Sequence, residues 1–588
     1  MRAQKIPLLI SLFISILFII PLFFLIFGSF YLQIGTSQRP SVDLALAILK
    51  RVVIDNPVVF NTLVQALVGA AFAMILGVVY SWIVLRTDVP GKRVLAFIPY
   101  LIIAVPVLFK MFAWTYIFSP RIGMGNILLI RLLGSFAPIF DIYTLAGMTF
   151  AIAVGGIPFV YIFIEPAIKN MDPSFEEASR ISGSGYVRTL FRVTIPVLLP
   201  AIFSSFLLVA IFGIENIEGP LLIGNPGGIP TLASQVFYAQ RERIPPAYFD
   251  AAVISALYFA IMLVAFGLYM WSTRKTFKFV TVTGKATQQR MLKLHKLKYV
   301  AFAVCFIIAF FSFILPFSVL VLMSFLSLYT VGQNYAVTMV FTLSNYVNAL
   351  SLPLFTQALL NSFLFSAIAA TGATLLGVLM TYTALKSKVR GSRLIEYFGS
   401  LPMSFPGIVY GLAIFWTFLF FPGVNTLYGT IWPVIFALLI IRLPHSTRII
   451  SGNLIQISNE MEEAARVAGA SWTRTMRTVI LPLLKLGLTN SVVFVFIQSV
   501  KELGAPILLV TAQTPVLMVL LMNMYGQHPG LQYEVAAAAV MVTLIICTAL
   551  MVYQVIEKLQ KRSLMKREQL KPRSDELEAM KLIGESKV

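Results

Sequence analysis

Charge is what this sequence has least of. Only 12% of its 588 residues are Asp, Glu, Lys or Arg, against about a quarter in an average soluble domain. The two cysteines, Cys305 and Cys547, each sit inside an apolar run, which excludes a disulfide scaffold and reads as two buried thiols. The three histidines, His295, His445 and His528, are isolated, and no zinc spacing, catalytic triad or nucleophile elbow accompanies them. No G-x-x-x-x-G-K-[ST] loop occurs, so the chain has no means of its own to cradle ATP phosphates. An enzyme is not expected. What the sequence has instead is apolar mass: 59% hydrophobic residues and a mean hydropathy of +0.88. So few ions cannot cover so much apolar surface in water, so the chain reads as a polytopic membrane protein.

A window of about 20 residues, the length that crosses a bilayer, finds about twelve apolar spans. They lie near 6–28, 58–85, 94–118, 141–168, 188–213 and 249–272, then near 299–326, 360–385, 394–421, 428–450, 480–500 and 533–557. The first follows Arg2 and Lys5 as a signal peptide would, but it is too long for one and no A-x-A-like site follows it. It is read as an uncleaved span.

Basic residues set the sides. With the N-terminus inside, the inside segments hold about 35 of the 45 Lys and Arg residues and the outside segments about 7. Segment 274–298 has eight basic residues and no acid, whereas 327–353 has no charge at all. Both termini of this multi-pass chain are therefore expected in the cytoplasm. The net charge of +21 is a topology signal reinforced by anionic lipid, and nucleic acid is not an expected partner.

The two halves repeat. Asn61-Thr62 and Asn361-Ser362 open runs that align without gaps at an offset of 300, placing Gly77 on Gly377 and Pro106 on Pro406. From Pro158 on Pro444 the offset is 286, through Pro196 on Pro482 and Pro220 on Pro506. The fold expected is all-α, about twelve transmembrane helices in two parallel six-helix halves, with a pathway between them. The expected division is 1–273, a basic cytoplasmic linker 274–298, a second half 299–557, and a cytoplasmic tail 558–588.

Two inside segments break the rule that such loops avoid acids. Asp172-Pro173-Ser174-Phe175-Glu176-Glu177-Ala178-Ser179-Arg180 runs on to Gly183, and Ser458-Asn459-Glu460-Met461-Glu462-Glu463-Ala464-Ala465-Arg466 runs on to Gly469. Asp172 and Ser458 are good N-caps, Pro173 suits a first helical position, and the glycines suit a left-handed stop. Each is expected to be a helix of about ten residues, near 173–183 and 459–469, too short to be stable unsupported. Phe175, Ala178 and Ser182, like Met461, Ala464 and Ala468, recur at i, i+3, i+7 and form a narrow face suited to close approach by another protein. Glu177 with Arg180, and Glu463 with Arg466, are spaced to brace each other or a partner's charges.

Here the sequence resembles a known family, the membrane-spanning subunits of type I binding-protein-dependent ABC importers. Their signature is Glu-Ala-Ala, a Gly four residues later, and a Pro opening the next span. It is matched by Glu463-Ala464-Ala465, Gly469 and Pro482, and by Glu177-Ala178-Ser179, Gly183 and Pro196, with Ser179 in place of Ala. The resemblance implies that the two helices are coupling helices docking on separate ATPase subunits, Phe175 to Gly183 on one copy and Met461 to Gly469 on the other. It implies two ATPase copies, which would carry the ATP and magnesium while this chain binds no cofactor, and an extracytoplasmic substrate-binding protein. Twelve spans in two parallel halves also describe a major-facilitator transporter, whose D-x-x-G-[RK]-[RK] turn Asp88 to Arg93 imitates. The twin acidic helices have no role there.

Fused permeases of this length resemble the ferric-iron importer branch, whose relatives handle thiamine, polyamines and aminoethylphosphonate. Iron(III) is the expected substrate by that analogy, with those three as alternatives. Ionisable groups at membrane depth are the default pathway candidates. Glu215 and Glu218, with Lys501 and Glu502 in the related region, are named as the candidate path and placed near the outer mouth. The competing expectation is that Lys501 and Glu502 form structural pairs. Lys110, Glu165 and Arg442 are expected to snorkel or pair.

Overall fold

The computed structural model describes residues 19–26, 40–172, 174–276, 291–386, 392–527 and 529–569. Among them, eight helices are long and apolar enough to cross a membrane: Val58–Arg86, Leu145–Asn170, Leu190–Glu215, Tyr248–Thr273, Leu297–Ser324, Phe355–Lys386, Trp432–Leu454 and Gln532–Met551. Three further spans are bent pairs, Lys92–Ala104 with Val107–Phe118, Tyr397–Ser404 with Gly407–Phe420, and Trp472–Leu483 with Lys485–Val500. These eleven coincide with eleven of the twelve expected spans. The first, 6–28, lies outside the described residues except for a helical stretch at 19–26. The segments 277–290 and 570–588, which make up much of the expected linker and tail, lie outside them as well.

Two of the bends fall inside the expected spans 94–118 and 394–421. They measure 99° and 105° and fall at equivalent prolines, Pro106 and Pro406. Proline drives the residue before it out of the helical region. Val105 (ψ 124°) and Phe405 (ψ 118°) are accordingly extended, and a new helix starts just after each proline. The uncharged stretch 327–353 holds the two strands among the described residues, an antiparallel hairpin of Leu326–Val331 with Val337–Phe341.

The sequence repeat is a structural repeat. Asn61 donates its amide to the Pro230 carbonyl at 2.9 Å, and Asn361 donates to Pro515 at 3.0 Å. One residue on, the Thr62 hydroxyl accepts from Leu232 N–H at 2.9 Å and the Ser362 hydroxyl from Leu517 N–H at 2.8 Å. Small residues then bring long helices together in each half. A β-carbon on Gly77 would lie 2.6 Å from Val160 Cβ, and one on Gly377 would lie 2.5 Å from Ser446 Oγ. Lipid tails give no hydrophobic drive for helix association, so close approach at such positions supplies the packing.

Candidate functional site

The two short acidic helices form as Ser174–Ile181 and Asn459–Val467. Asp172 Oδ1 accepts from the Ser174 N–H at 2.9 Å, which holds that carboxyl below the usual range, and Ser458 Oγ accepts from Glu460 N–H at 3.2 Å. Pro173 lies outside the described residues. Both helices end on left-handed glycines, Gly183 (φ +83°) and Gly469 (φ +77°). Matching stop bonds follow, Ser184 N–H to the Ser179 carbonyl at 3.1 Å and Ala470 N–H to the Ala465 carbonyl at 3.0 Å.

Each helix rests on the membrane domain through the first acid of its Glu-Glu pair. Glu176 is 7% exposed and accepts from Arg86 at 2.5 Å and from the Thr194 hydroxyl at 2.7 Å. Glu462, 5% exposed, accepts from the Tyr382 hydroxyl and from Arg466. The brace expected between Glu463 and Arg466 is thus replaced by one from Glu462 at i, i+4, the better helical orientation for an acid preceding a base. The side chain of Arg180 lies outside the described residues, so the expected Glu177–Arg180 brace does too. The opposite face is open: Phe175, Glu177, Ala178, Met461, Glu463, Ala464 and Ala468 are exposed.

The two roots differ at one repeat position. Arg86 reaches Glu176, but its equivalent Lys386 bonds instead to the Ile457 carbonyl at 2.7 Å and Asn459 Oδ1 at 2.6 Å. Tyr382 takes the place at Glu462 that the guanidinium holds at Glu176.

All four candidate path residues, Glu215, Glu218, Lys501 and Glu502, line one cavity of about 210 Å³. Lys110, Arg442, His445 and Gln498 line it as well, so both halves contribute. It lies deeper than the outer mouth where the sequence places these acids. Its walls include Gly155 to Phe159 and Ile441 to His445, at mid-length of Leu145–Asn170 and Trp432–Leu454. The bends at Pro106 and Pro406 turn both halves' shorter helices toward this level.

Inside the cavity some charges are settled and others are not. Glu502 forms an ion pair with Arg442, whose guanidinium also donates to the Gln498 carbonyl at 3.0 Å. Lys501 donates to the Ile103 carbonyl at 2.6 Å. Glu218 accepts from the Asn216 amide at 3.1 Å, and Glu215 interacts with the Gly407 N–H. Lys110 is 7% exposed, does not snorkel, and makes neither a side-chain hydrogen bond nor a salt bridge among the described residues. Glu165 pairs with Lys169 and Tyr100. Sequence reasoning left Lys110, Arg442, His445 and Gln498 out of the candidate path; the signal available was an unexplained polar group inside an apolar span. No group of three or more His, Cys, Asp or Glu among the described residues is placed to hold a metal ion.

Residues 69–278 and 373–562 each match the family described as the binding-protein-dependent transport system inner membrane component. A ferric transport system permease protein, FbpB, of Actinobacillus pleuropneumoniae is 27% identical over 70% of this chain. A putative ferric transport system permease protein, FbpB 1, of Haemophilus influenzae is 28% identical over 64% of it. The match spans 58% of the length of each of these two relatives. The sulfate transport system permease protein CysT of Salmonella typhimurium is 29% identical over 26% of this chain and 54% of its own length.

Proposed function

Because this chain belongs to the binding-protein-dependent transport system inner membrane components and carries their domain twice, we propose that it forms the path of an ATP-driven importer of iron(III). The observation that carries this reading is the mid-depth cavity between the halves, lined by Glu215 and Glu218. Carboxylates there offset the cost of bringing a cation into a low-dielectric interior. The ferric relatives support the choice of metal.

The remaining parts follow from the same reading. The outward faces of Ser174–Ile181 and Asn459–Val467 dock on two copies of an ATPase subunit, which bind ATP and magnesium. An extracytoplasmic binding protein delivers the substrate from the opposite side, and both termini are cytoplasmic. In this arrangement Glu176 and Glu462 transmit movement into the membrane helices, while Phe175, Ala178, Met461 and Ala464 meet the partner.

The test is reconstitution of the permease with its ATPase and binding protein in proteoliposomes. ATP-dependent entry of ⁵⁵Fe(III), without uptake of thiamine, putrescine or sulfate, is expected. Entry of one of those solutes in place of iron would overturn the metal while leaving the permease role. Failure to copurify with any ATPase would overturn the coupling.

A further inference from the structure

The cavity holds an imbalance that its own residues do not resolve. Arg442 and Glu502 neutralise each other, and Lys501 is bonded to a backbone carbonyl. What remains is the Lys110 ammonium, without a side-chain partner among the described residues, and the Glu215 and Glu218 carboxylates, which keep acceptor capacity beyond their bonds to the Gly407 N–H and the Asn216 amide. Lys110 and Glu218 attract each other electrostatically, yet no salt bridge closes the gap between them. Gly155 lies beside the ammonium: a β-carbon there would sit 3.7 Å from Lys110 Nζ, in ordinary contact. A desolvated ammonium without a partner is costly, so a residue so placed implies a partner that arrives from outside.

A bare multivalent cation does not fit this arrangement. It would draw in the acids but be repelled by the buried ammonium beside them, and no cluster of three metal-binding side chains is there to hold it. A simple anion fits no better, because it would satisfy Lys110 and face two carboxylates. We infer that the species held in this cavity carries both signs of charge, a cationic centre toward Glu215 and Glu218 and an oxyanion group toward Lys110. This rests on the cavity being the transport path. The cavity of about 210 Å³ has room for several water molecules. That is room for a metal ion with one small oxyanion, or for a small zwitterion. On the iron(III) reading, the metal crosses with an oxyanion still attached.

Two sources share this chemistry: a ferric–phosphate pair and an aminoalkylphosphonate zwitterion. Proteoliposomes holding the full transporter with its binding protein separate them. One arm supplies ⁵⁵Fe(III) with [³²P]phosphate, and the other supplies [¹⁴C]2-aminoethylphosphonate. Both labels of the first arm should enter together. Lys110→Met should lower uptake about ten- to hundredfold, the loss expected for a charge-assisted hydrogen bond, while Lys110→Arg retains most of it. Thermal unfolding of the purified complex serves as the control. Lys110→Met should be at least as stable as the parent, since it removes a desolvated charge and breaks no internal pair.

If ⁵⁵Fe enters without ³²P, or at the parent rate in Lys110→Met, the inference falls while the iron path stands. If only the aminophosphonate enters, and needs Lys110, the inference stands and the iron reading falls. Entry of neither label into parent vesicles, or destabilisation by Lys110→Met, overturns it, the second because Lys110 would then be structural.

Discussion

Lys501 in the second half and Ile103 in the first are joined across the molecule, ammonium to carbonyl, at 2.6 Å. The bend after Ala104 interrupts the helix, so the Ile103 carbonyl loses its intrahelical donor in a region without water. Lys501 replaces that donor and brings its charge to the negative end of the broken helix. The repeat places Glu215 where Lys501 stands, and Glu215 interacts with the Gly407 N–H at the start of Gly407–Phe420, the positive end of the other half's broken helix. One repeat position thus caps the opposite half twice, with the sign of the charge exchanged to suit the end it meets.

Removal of the first cap should be measurable. Lys501→Met leaves the Ile103 carbonyl unsatisfied, a loss of about 1–3 kcal/mol. Lys501→Arg keeps a donor and should lose less. Thermal unfolding in detergent checks the order parent, Arg, Met. A Met variant as stable as the parent would mean that the cap contributes nothing.

The Arg442–Glu502 pair gives a sharper contrast. Breaking a buried pair from one side strands the other charge and typically costs about 3–5 kcal/mol. Arg442→Met should therefore be poorly stable, and the double variant Arg442→Met, Glu502→Gln should recover most of the loss. A double-mutant cycle on unfolding midpoints reads the coupling. Additive losses would show that the two side chains do not depend on each other.

The two short helices should tolerate damage unequally. Arg86 is 2% exposed and ion-paired to Glu176, so Arg86→Met should cost about 3–5 kcal/mol. Lys386 makes hydrogen bonds to a carbonyl and an amide oxygen without an ion pair to Glu462, and Lys386→Met should cost about 1–2 kcal/mol. Unfolding midpoints of the two variants test this. Equal losses would contradict the difference in how the helices are rooted.

How much of this was legible beforehand depends on whether neighbours in sequence or neighbours in space decide it. The repeat was legible because Asn61-Thr62 and Asn361-Ser362 keep both identity and spacing. So were the caps and glycine stops, which are local chemistry. Which acid of each Glu-Glu pair turns inward was not legible, because the deciding partner of Glu176, Arg86, is ninety residues away. The bends were hidden for a related reason. Pro106 and Pro406 break their spans, while Pro158 and Pro444 sit inside unbroken helices. In the sequence alone, Lys110 is expected to snorkel or pair. The bent helix holds it in the cavity instead.

Sidedness can be read directly. In a background with Cys305→Ala and Cys547→Ala, single cysteines in the hairpin Leu326–Val331 with Val337–Phe341 should react with an impermeant maleimide added outside. Cysteines in 274–298 should react only after the membrane is opened. The reverse pattern would invert the topology that the Lys and Arg asymmetry sets.

The last prediction concerns the open faces of the two short helices. Ala178 and Ala464 are exposed at equivalent positions, each three residues after the larger Phe175 or Met461. Neither alanine side chain supports the helix from within, since Glu176 and Glu462 do that from the opposite face. A tryptophan there should leave the membrane domain folded but hold a fitted partner away. Overpacking of a fitted contact costs about 1–3 kcal/mol, or roughly a five- to hundredfold loss of association. With both sites on one chain, Ala464→Trp alone should retain partial ATPase binding through the other helix. The double variant Ala178→Trp, Ala464→Trp should unfold at the parent temperature yet lose both transport and stimulated ATP hydrolysis. If that variant copurifies with a fully active, transport-coupled ATPase, the docking surface lies elsewhere on the chain.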